Sequence, residues 1–538
     1  YKTFLLIYFK ILNMLSKIPK FSNLAPQLTI SSPISTSIRK EMNKILHKPT
    51  RIPAVIGGKK INNFKNTQNA GQNIVAFYSE PSKQQLLDGL YNFQEAKQSW
   101  NQLKLTDRLD IFLDAADKIE YEYYDKMMAT TILGQNKIPY EAEIDSICEL
   151  VDFLRFNVSY VYEMNKKQPI SPVTEHFQNQ EYQVTNTSQY LPLPGFVASI
   201  TPFNFTAIGG NLALTPLMLG NCVFWKPSDN AILSNYLIYQ ILEECGLPPG
   251  ILNFVPYDGQ EFVDIITKNK DLGSIIFTGS SQVFEGIIKK VGNNISHFNN
   301  FPRLIGETGG KNYHFVHPSM KSEVDFIAQK TFESAFGYSG QKCSACSRLY
   351  LPESMLDDFV IQIRKHIKNH LVSHHGNYGL INKKSWLKNK ETLAKIKKLE
   401  YAKIVEGGKI DENNFFMQPT IVVSENHNNF LFSEEFFAPL LSVYTYDDAN
   451  LSNTIDLCKN ATNYALTGSV FSRDEDFITE FTDYMSHTCG NYYINDKSTG
   501  SVVGQQPFGG GGKSGTNDKA GDINFIYRLT SQKNIKRS

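Results

Sequence analysis

Two cysteines, Cys343 and Cys346, lie three residues apart in the stretch GYSGQKCSACSRLY, residues 337–350. Such a pair can bind zinc, act as a redox dithiol, form a structural disulfide, or supply one nucleophile beside an uninvolved neighbour. The sequence holds no other Cys-x-x-Cys pair to complete a zinc site. A thioredoxin-like dithiol opens a helix after a strand, whereas this pair follows a helical pattern and precedes a strand. We therefore favour one nucleophile in a glycine-hinged loop.

A cysteine nucleophile needs partners, and two other segments can supply them. RLIGETGGKN, residues 303–312, places Glu307 at a strand end, where two glycines allow a tight turn. ITPFNFTAIGGN, residues 200–211, places Asn204 between a strand and a helix, where its amide can donate to an oxyanion. A single Glu beside glycines is more often a solvated loop residue, so only the combination points to catalysis.

Further strand ends carry residues suited to a nucleotide. Lys226 in WKPSD ends an apolar run, where a cation could reach a ribose or phosphate. Gly279 and Ser280 in FTGSSQVFEG precede a helix, and backbone amides at a helix start bind pyrophosphate. GGGGKSG, residues 509–515, contains the GKS of a P-loop, but Pro507 occupies the required first glycine position. It also lacks the strand–loop–helix context, which argues against a nucleotidase.

Short apolar runs alternating with helical patterns should position these residues. The predicted strands GFVASIT, NCVFWK, ILNFV and GSIIF recur at about 25-residue spacing with helical patterns between them. This rhythm favours an α/β fold with a parallel sheet whose strand ends carry the site. It restarts after residue 311, which indicates a second α/β domain. Helices are predicted over residues 82–135 and from residue 140, and residues 166–192 look like an extended arm or hairpin.

The bulk composition is that of an ordinary globular protein of two or three domains. The chain has 538 residues, 41% of them hydrophobic and 20% charged, and a net charge of +1. This charge provides no basic field for nucleic acid, and no apolar run approaches the length of a membrane span. The seven scattered cysteines do not form a disulfide framework.

The first 40 residues differ from the rest. They hold six basic residues and no Asp or Glu, and the remainder has 48 basic and 53 acidic residues. A basic, acid-free segment rich in Ser and Thr is typical of a mitochondrial transit peptide. A secretory signal around FLLIYF and a disordered tail are the alternatives, and Met14 is a candidate start within the segment.

Taken together, the motifs TPFNF, WKPSD, FTGSS, GETGGKN, GQKCSA and EEFFAP resemble the aldehyde dehydrogenase superfamily in content and order. NYYINDKSTGSVVGQQPFGG and SGTNDKAG are most similar to the branch that oxidises L-glutamate γ-semialdehyde, formed from 1-pyrroline-5-carboxylate. The resemblance runs from about residue 50 to 530. It implies a Rossmann-type NAD-binding domain at residues 41–165 and 193–311, a catalytic α/β domain at 312–515, and a small β arm for oligomerisation at 166–192 with 516–538.

The resemblance also implies roles for individual residues. Cys343 would be the nucleophile, Asn204 would hold the oxyanion, and Glu307 would activate the hydrolytic water. The positions matching NAD contacts are Thr201, Lys226, Gly279, Ser280, Val283, Glu435 and Phe437. The positions matching substrate contacts are Glu149, Phe205, Ser344, Gly500, Ser501 and Phe508, although Phe205 and Phe508 could equally be ordinary core residues. No metal is implied.

The expectation is therefore a mitochondrial-matrix, homodimeric, NAD-dependent dehydrogenase that produces glutamate in proline degradation. Oxidation of another semialdehyde, an esterase using the same cysteine, and a non-catalytic scaffold are the alternatives. Ser228 does not exclude the 2′-phosphate of NADP. Ala438 stands where members of the superfamily usually have glycine.

Overall fold

The computed structural model of the chain describes residues 21–177, 180–373, 379–413 and 415–538. The helices, numbered α1 to α17 in chain order, are Thr36–His47, Lys83–Gln102, Leu105–Asp117, Tyr124–Gln135, Pro139–Glu143, Leu150–Lys166, Thr206–Met218, Ile232–Glu244, Gly259–Ile266, Ser281–Asn293, Val324–Phe336, Leu356–Ser373, Lys383–Ile396, Phe430–Ser433, Leu451–Asn460, Glu475–Tyr484 and Ile523–Arg528. Two π-helical turns, Lys118–Glu122 and Ile144–Glu149, join neighbouring helices.

The strands are short and were numbered β1 to β24 in the same way. They are Thr50–Ile52, Ala54–Ile56, Lys59–Ile61, Asn66–Ala70, Asn73–Tyr78, Val173–Phe177, Gln180–Pro192, Phe196–Ile200, Val223–Lys226, Leu252–Phe254, Leu272–Thr278, Arg303–Glu307, Asn312–Val316, Cys346–Pro352, Ala402–Glu406, Ile410–Asp411, Phe416–Met417, Thr420–Ser424, Leu440–Tyr446, Tyr464–Ala465, Thr467–Phe471, Asn491–Ile494, Gly511–Gly512 and Thr530–Arg537.

The first half of the chain forms a seven-stranded sheet with the order β12-β11-β8-β9-β10-β2-β3. The strands from β12 to β10 run parallel, and β2 and β3 add an antiparallel edge. Every residue of β8 and of β11 is buried, as expected for parallel strands covered on both faces by helices. The chain extends the sheet from β8 through β9 to β10 and then crosses to β11 on the other side. The carboxyl end of β8 is thus a topological switch point, where such sheets bind ligands.

The second half forms another seven-stranded sheet, with the order β15-β18-β19-β14-β13-β21-β22. Its strands are parallel except for the edge strand β15. One large hydrophobic core surrounds the first sheet, and three smaller cores surround the second. The predicted α/β architecture with parallel sheets is confirmed.

The segment at residues 166–192 forms an antiparallel hairpin of β6 and β7, and β24 pairs with β7 along its length. Only Thr530–Arg537 of the C-terminal region joins this arm. Residues 516–529 instead pack on the first domain, where Phe525, Ile526 and Leu529 are buried in its core. The arm boundary expected at residue 516 therefore lies about at residue 530, because α17 carries apolar side chains that need a core.

Part of the leader expected at residues 1–40 contacts the first domain. Asn23 donates from Nδ2 to Asp152 Oδ2 at 2.8 Å, and the Leu28 amide donates to Glu143 Oε2 at 2.8 Å. Helix α1 starts at Thr36, and Ile38 is buried in the first core. Residues 21–40 thus use their apolar and amide groups to pack on the domain, and the first 20 residues lie outside the described ranges. Within those ranges, no helix has both the length and the apolar character to cross a bilayer.

Candidate active site

The loop that carries Cys343 is held in an unusual backbone conformation. It follows α11, and Tyr338 and Ser339 have positive φ angles of 50° and 53°. Gly340, with φ of 65°, lies so close to residue 438 that a Cβ atom there would be 2.3 Å from the Ala438 carbonyl oxygen. Left-handed conformations of non-glycine residues cost free energy and persist only where neighbouring structure enforces them. The conformation of this loop therefore lowers the stability of the protein, and the surrounding contacts must hold it in place.

The turn at residues 309–312 holds the loop from the other side. Asn312 donates from Nδ2 to the carbonyl oxygens of Cys343 and Ala345, both at 2.8 Å, and accepts from the Thr467 amide at 3.0 Å. A Cβ atom at Gly310 would lie 2.5 Å from the Cys343 carbonyl oxygen, so only glycine allows this approach. Cys343 is thereby fixed to the first strands of the second sheet.

The Cys343 side chain is buried and only 8% exposed. Burial raises the pKa of its thiol well above the usual value, and the nearby carboxyl groups of Glu307 and Glu435 raise it further. Backbone amides of Cys343 and Ser344 act in the opposite direction. The resting thiol is therefore protonated, and its activation requires a neighbouring base.

Of the two carboxyl groups that act on the Cys343 thiol, Glu307 has the larger effect and is the candidate base. It ends β12, and its Oε1 atom is buried without a hydrogen-bond partner among the described residues. Burial raises the pKa of Glu307 to about 8, and Lys519 opposes that rise. An unpartnered carboxyl whose pKa lies near working pH is suited to take up and release a proton.

The rejected P-loop segment has a structural role at Glu307. The Ser514 carbonyl oxygen accepts from the Thr308 amide at 2.8 Å, and the Thr516 amide donates to the Gly306 carbonyl at 2.8 Å. Glu307 and Gly515 form an antiparallel bridge. Residues 513–516 therefore extend the end of β12 and hold the backbone at Glu307.

Asn204 lies beside the Cys343 loop. Its side chain is 3% exposed, and Nδ2 donates to the Gln341 carbonyl oxygen at 3.2 Å. One of the two amide hydrogens makes this bond, and the second is free to meet an oxyanion. Asn204 Oδ1 is buried without a partner in the described part of the chain.

A buried ion pair, Lys137 with Asp145, braces the Asn204 segment. Lys137 Nζ is 2.6 Å from Asp145 Oδ2, and this carboxylate also accepts from the first two amides of α7 at Thr206 and Ala207, at 3.0 and 2.9 Å. The ammonium lies 4.1 Å from the centre of the Phe205 ring. The pair thus caps the helix that follows Asn204 and orients Phe205.

Replacing Lys137 with methionine should destabilise the first domain by about 3–5 kcal/mol, because it leaves the Asp145 carboxylate buried without its counter-charge. The measurement is urea unfolding followed by tryptophan fluorescence, since Trp100 and Trp225 are fully buried in that domain. The matched control is Lys383→Met, which removes an exposed pair with Glu412 at 2.9 Å and should cost less than about 1 kcal/mol. Equal effects of the two substitutions would contradict the bracing role.

The expected NAD contacts meet at the switch point of the first sheet. Thr201 follows β8 and accepts from Trp225 Nε1 at 3.0 Å, and Lys226 ends β9. Ser280 caps the start of the 13-residue helix α10, whose early residue Val283 is 51% exposed. The Gly279 amide donates to the Glu307 carbonyl at 3.1 Å, which joins this edge to the end of β12. A helix start at the carboxyl edge of this sheet, with Lys226 at the end of a strand on the same edge, fits a dinucleotide pyrophosphate.

Glu435 and Phe437 approach from the second domain. Glu435 Oε1 accepts from the Gly310 amide at 2.9 Å, and a Cβ atom at Gly309 would collide with its carboxylate. Phe437, with φ of 55°, contacts Phe203 edge-to-face at 5.9 Å. Ala438 is buried, and its φ is not positive, so its backbone does not require the glycine usual in the superfamily.

The expected substrate residues fall into two groups. Glu149 ends a π-helical turn, and burial together with Asp145 raises its pKa to about 8, with a smaller contribution from Glu307. Ser344 is buried next to Cys343. The second group, Gly500, Ser501 and Phe508, lies in the loop after β22. Gly500 has φ of 90°, Ser501 Oγ donates to the Gln506 carbonyl, and Phe508 lines a cleft with Glu307.

Comparison with known proteins agrees with this geometry. Residues 57–535 match the family model described as the aldehyde dehydrogenase family. The chain belongs to the aldehyde dehydrogenase family. It is 41% identical over 531 residues to the mitochondrial delta-1-pyrroline-5-carboxylate dehydrogenase of Homo sapiens, covering 95% of this chain and 91% of that protein. It is 40% identical over 506 residues to a probable enzyme of the same name from Schizosaccharomyces pombe, covering 91% and 90%.

Solved structures of this family have the same fold. The delta-pyrroline-5-carboxylate dehydrogenase of Mycobacterium tuberculosis bound with NAD aligns with a TM-score of 0.88 and 34% identity, covering 97% of this chain and 96% of that one. The Thermus enzyme with bound NAD aligns with a TM-score of 0.84 and 27% identity, covering 97% and 99%. The resemblance inferred from the motifs is confirmed at the level of the family.

Several side chains near the candidate site were not predicted from the sequence. Lys519 Nζ donates to the carbonyl oxygens of Gly490 and Gly509 at 2.6 and 2.8 Å and places a positive charge near Glu307. Lys137 lies in the short loop between α4 and α5, and Asp145 lies in the π-helical turn after α5. Asp145 accepts from the α7 amides more than 60 residues away, and Lys519 acts on Glu307 from a distant part of the sequence. Only the local string NDKAG around Lys519 could have indicated one of them.

The pKa of Glu307 predicts a pH dependence. Below about pH 8 the carboxyl holds its proton and cannot accept another. Turnover limited by a step that needs this base should rise about tenfold per pH unit up to about pH 8 and level off above it. The measurement is kcat against pH for the wild type, with Glu307→Gln as the control that lacks the rise. A kcat that falls as pH increases towards 8 would contradict the assignment.

Proposed function

We propose that this chain is an NAD-dependent delta-1-pyrroline-5-carboxylate dehydrogenase, which oxidises L-glutamate γ-semialdehyde to L-glutamate in proline degradation. The observation that carries the proposal is the placement of Cys343 beside the Glu307 carboxyl, with Asn204 next to the same loop. The relatives and structural neighbours that bear this enzyme's name support the substrate and the cofactor.

The residues at the switch point suit the dinucleotide. We assign Thr201, Lys226, Gly279, Ser280 and Val283 to the adenosine and pyrophosphate half. Glu435 and Phe437 are assigned to the nicotinamide half, where the carboxylate of Glu435 can accept from ribose hydroxyls. When bound, NAD supplies the acceptor for the hydride that leaves the aldehyde carbon.

The protein's own groups carry the covalent steps. The Cys343 thiol loses its proton to Glu307 and its sulfur bonds to the aldehyde carbon, while the carbonyl oxygen becomes an oxyanion. The Asn204 amide and the Cys343 backbone N–H stabilise this oxyanion. After hydride loss the carbon is a thioester on Cys343. Glu307 passes this first proton to solvent and then takes a proton from water as the hydroxide attacks the thioester. The carbon–sulfur bond breaks, the departing sulfur takes the proton back from Glu307 to regenerate the thiol, and the released acid ionises to the carboxylate.

Recognition of the substrate is assigned to the two groups described above. The backbone amides of the Gly500–Ser501 segment and the hydroxyls of Ser501 and Ser344 would receive the α-carboxylate. Phe205 and Phe508 would enclose the aliphatic chain, and Glu149 would face the ammonium group. A substrate ammonium would draw the pKa of Glu149 down from about 8, so that its carboxylate becomes charged on binding.

The test compares NADH absorbance with L-glutamate γ-semialdehyde and with butanal, an aliphatic aldehyde that lacks both the α-carboxylate and the ammonium group. The proposal expects kcat/KM to be larger for the semialdehyde by at least about 100-fold, because the carboxylate contacts are charge-assisted. Equal values would favour a dehydrogenase of another aldehyde. Ester hydrolysis without nicotinamide, in the absence of any NADH formation, would favour the esterase alternative.

Two further assignments belong to this proposal. The arm of β6, β7 and β24 would join two copies in a homodimer. Sedimentation velocity of the full chain tests this, and a monomer would contradict it.

The mitochondrial relatives and the basic leader support residence in the matrix. Import of a fluorescent protein fused after residues 1–40 tests this, and a cytosolic reporter would contradict it.

A further inference from the structure

His314, a histidine to which the proposed chemistry assigns no role, lies at the centre of a buried hydrogen-bond network. It is in the middle of β13, and its side chain is fully buried. Nδ1 is 3.0 Å from Thr331 Oγ1, and Nε2 is 3.2 Å from Ser498 Oγ. The Ser498 backbone amide also donates to Nε2, at 3.3 Å. The ring therefore joins helix α11 to residue 498, two positions before Gly500.

The protonation state of the ring follows from these contacts. Burial lowers the pKa of His314 to about 3, so the ring is neutral at any working pH, although Asp496 acts in the opposite direction. The Ser498 amide can only donate, so Nε2 is the acceptor and the proton is on Nδ1. Nδ1–H then donates to Thr331. The donor and the acceptor nitrogen of the ring are thus both fixed, which suits a residue that holds two segments at a set distance better than an acid or base.

A second serine connects this network to the nucleophile loop. Ser334 Oγ is 2.9 Å from Ser498 Oγ and accepts from the Cys346 amide at 3.3 Å. Ser334 lies in the last turn of α11, which leads directly into the loop that carries Cys343. The same side chain therefore contacts the segment after the nucleophile and the segment before Gly500.

Ion pairs from α11 hold the rest of this segment. Lys330 Nζ is 2.8 Å from Asp496 Oδ1, and Lys497 Nζ is 3.0 Å from Glu333 Oε2. Ser469 Oγ donates to the Asp496 carbonyl at 2.6 Å. Residues 496–498 are thus held on helix α11 by two partly exposed ion pairs and by the buried hydrogen bond between Ser498 and Ser334. His314 completes the buried part of the network by bonding to both Ser498 and Thr331.

We propose that His314 is a positioning residue that sets the distance between Cys343 and the Gly500–Ser501 loop, and thereby selects aldehydes by the spacing between their carbonyl and carboxylate groups. The inference rests on the proposed function, which assigns the substrate carboxylate to that loop. Because the network connects the two ends of the proposed substrate site and includes none of the residues assigned to substrate or cofactor, its loss should affect anchored substrates alone.

The test uses two substitutions, one that can keep the hydrogen bond of Nε2 to Ser498 and one that can keep only the hydrogen bond of Nδ1 to Thr331. His314→Gln places a polar atom near the position of Nε2 and can still accept from Ser498, whereas His314→Asn keeps only the position of Nδ1. His314→Asn should lower kcat/KM for L-glutamate γ-semialdehyde about tenfold through KM, and His314→Gln should lower it less. The KM for NAD and kcat/KM for butanal should stay unchanged in both variants.

Ser498→Ala serves as a second variant that removes no buried ring, and it should act in the same direction as His314→Asn. Protection of the protein from heat unfolding by the product L-glutamate supplies a readout without turnover, and it should weaken in step with KM. Equal losses with both aldehydes, or no loss with either, would overturn the inference. A wild type that does not prefer the semialdehyde over butanal would overturn the proposed function itself, whatever the variants show.

Discussion

Replacing Cys343 with alanine should abolish NADH formation from L-glutamate γ-semialdehyde, with kcat/KM reduced by at least about 10⁴-fold. The substitution removes the only sulfur placed next to both Glu307 and Glu435 in the described residues. Without it the aldehyde carbon has no tetrahedral adduct from which hydride can leave. Folding should be nearly unaffected, because a small buried side chain is replaced by a slightly smaller one. The measurement is absorbance at the NADH wavelength at saturating NAD.

Cys346→Ala is the matched control for this experiment. Cys346 is even less exposed, at 1%, and its Sγ atom faces the Arg348 carbonyl, away from the carboxyl groups. Burial raises the pKa of its thiol to about 12, and the charged groups that act on it are Arg348 and Lys311, neither of which is a carboxylate that could take up its proton. The Cys346 variant should keep most of the wild-type activity. Activity that survives in Cys343→Ala but disappears in Cys346→Ala would reverse the assignment of the two cysteines.

Replacing Glu307 with glutamine should separate the two halves of the reaction. Hydride loss needs the Cys343 thiolate and the oxyanion contacts, and at high pH hydroxide can form this thiolate without Glu307, while hydrolysis of the thioester still needs a base for water. We expect a rapid first turnover of NADH, about one per active site, followed by a steady rate about 10²–10⁴-fold below the wild type. Stopped-flow absorbance measures both phases. The enzyme is mixed with its substrates at high pH, so that protonation of the Cys343 thiol does not limit the first phase.

Glu149→Gln provides the comparison for Glu307. Both carboxyls have a pKa raised to about 8, and they influence each other electrostatically. If Glu149 faces the substrate ammonium, its variant should raise KM for the semialdehyde without a burst of NADH. A burst in Glu149→Gln and none in Glu307→Gln would show that the two roles are exchanged.

Much of the fold could be predicted from the sequence because its determinants are local. The buried run of β8 and the glycine-hinged turns produce their elements through nearby residues alone. The proposed catalytic residues could be named because each stands in a short, distinctive string next to a predicted strand. Domain boundaries were less accessible: residues 21–40 have the composition of a leader, yet Asn23 and Ile38 pack on the first domain.

Residues that act across long sequence separations could not be predicted. Asp145 caps a helix that starts 61 residues later, and His314 bonds to Ser498 over 184 residues. A buried Lys or His in an apolar stretch has many possible partners, and its choice depends on how the domains pack. Structure is needed to see that these side chains hold Asn204 and the Gly500–Ser501 loop.

The most direct measurement of the central claim is mass spectrometry of Glu307→Gln after mixing with NAD and L-glutamate γ-semialdehyde. The account predicts a glutamyl adduct on the intact protein, and fragmentation of the peptide that spans residues 337–350 should place it on Cys343. An adduct on Cys346 or elsewhere, or NADH formation with no adduct at all, would contradict the thioester mechanism.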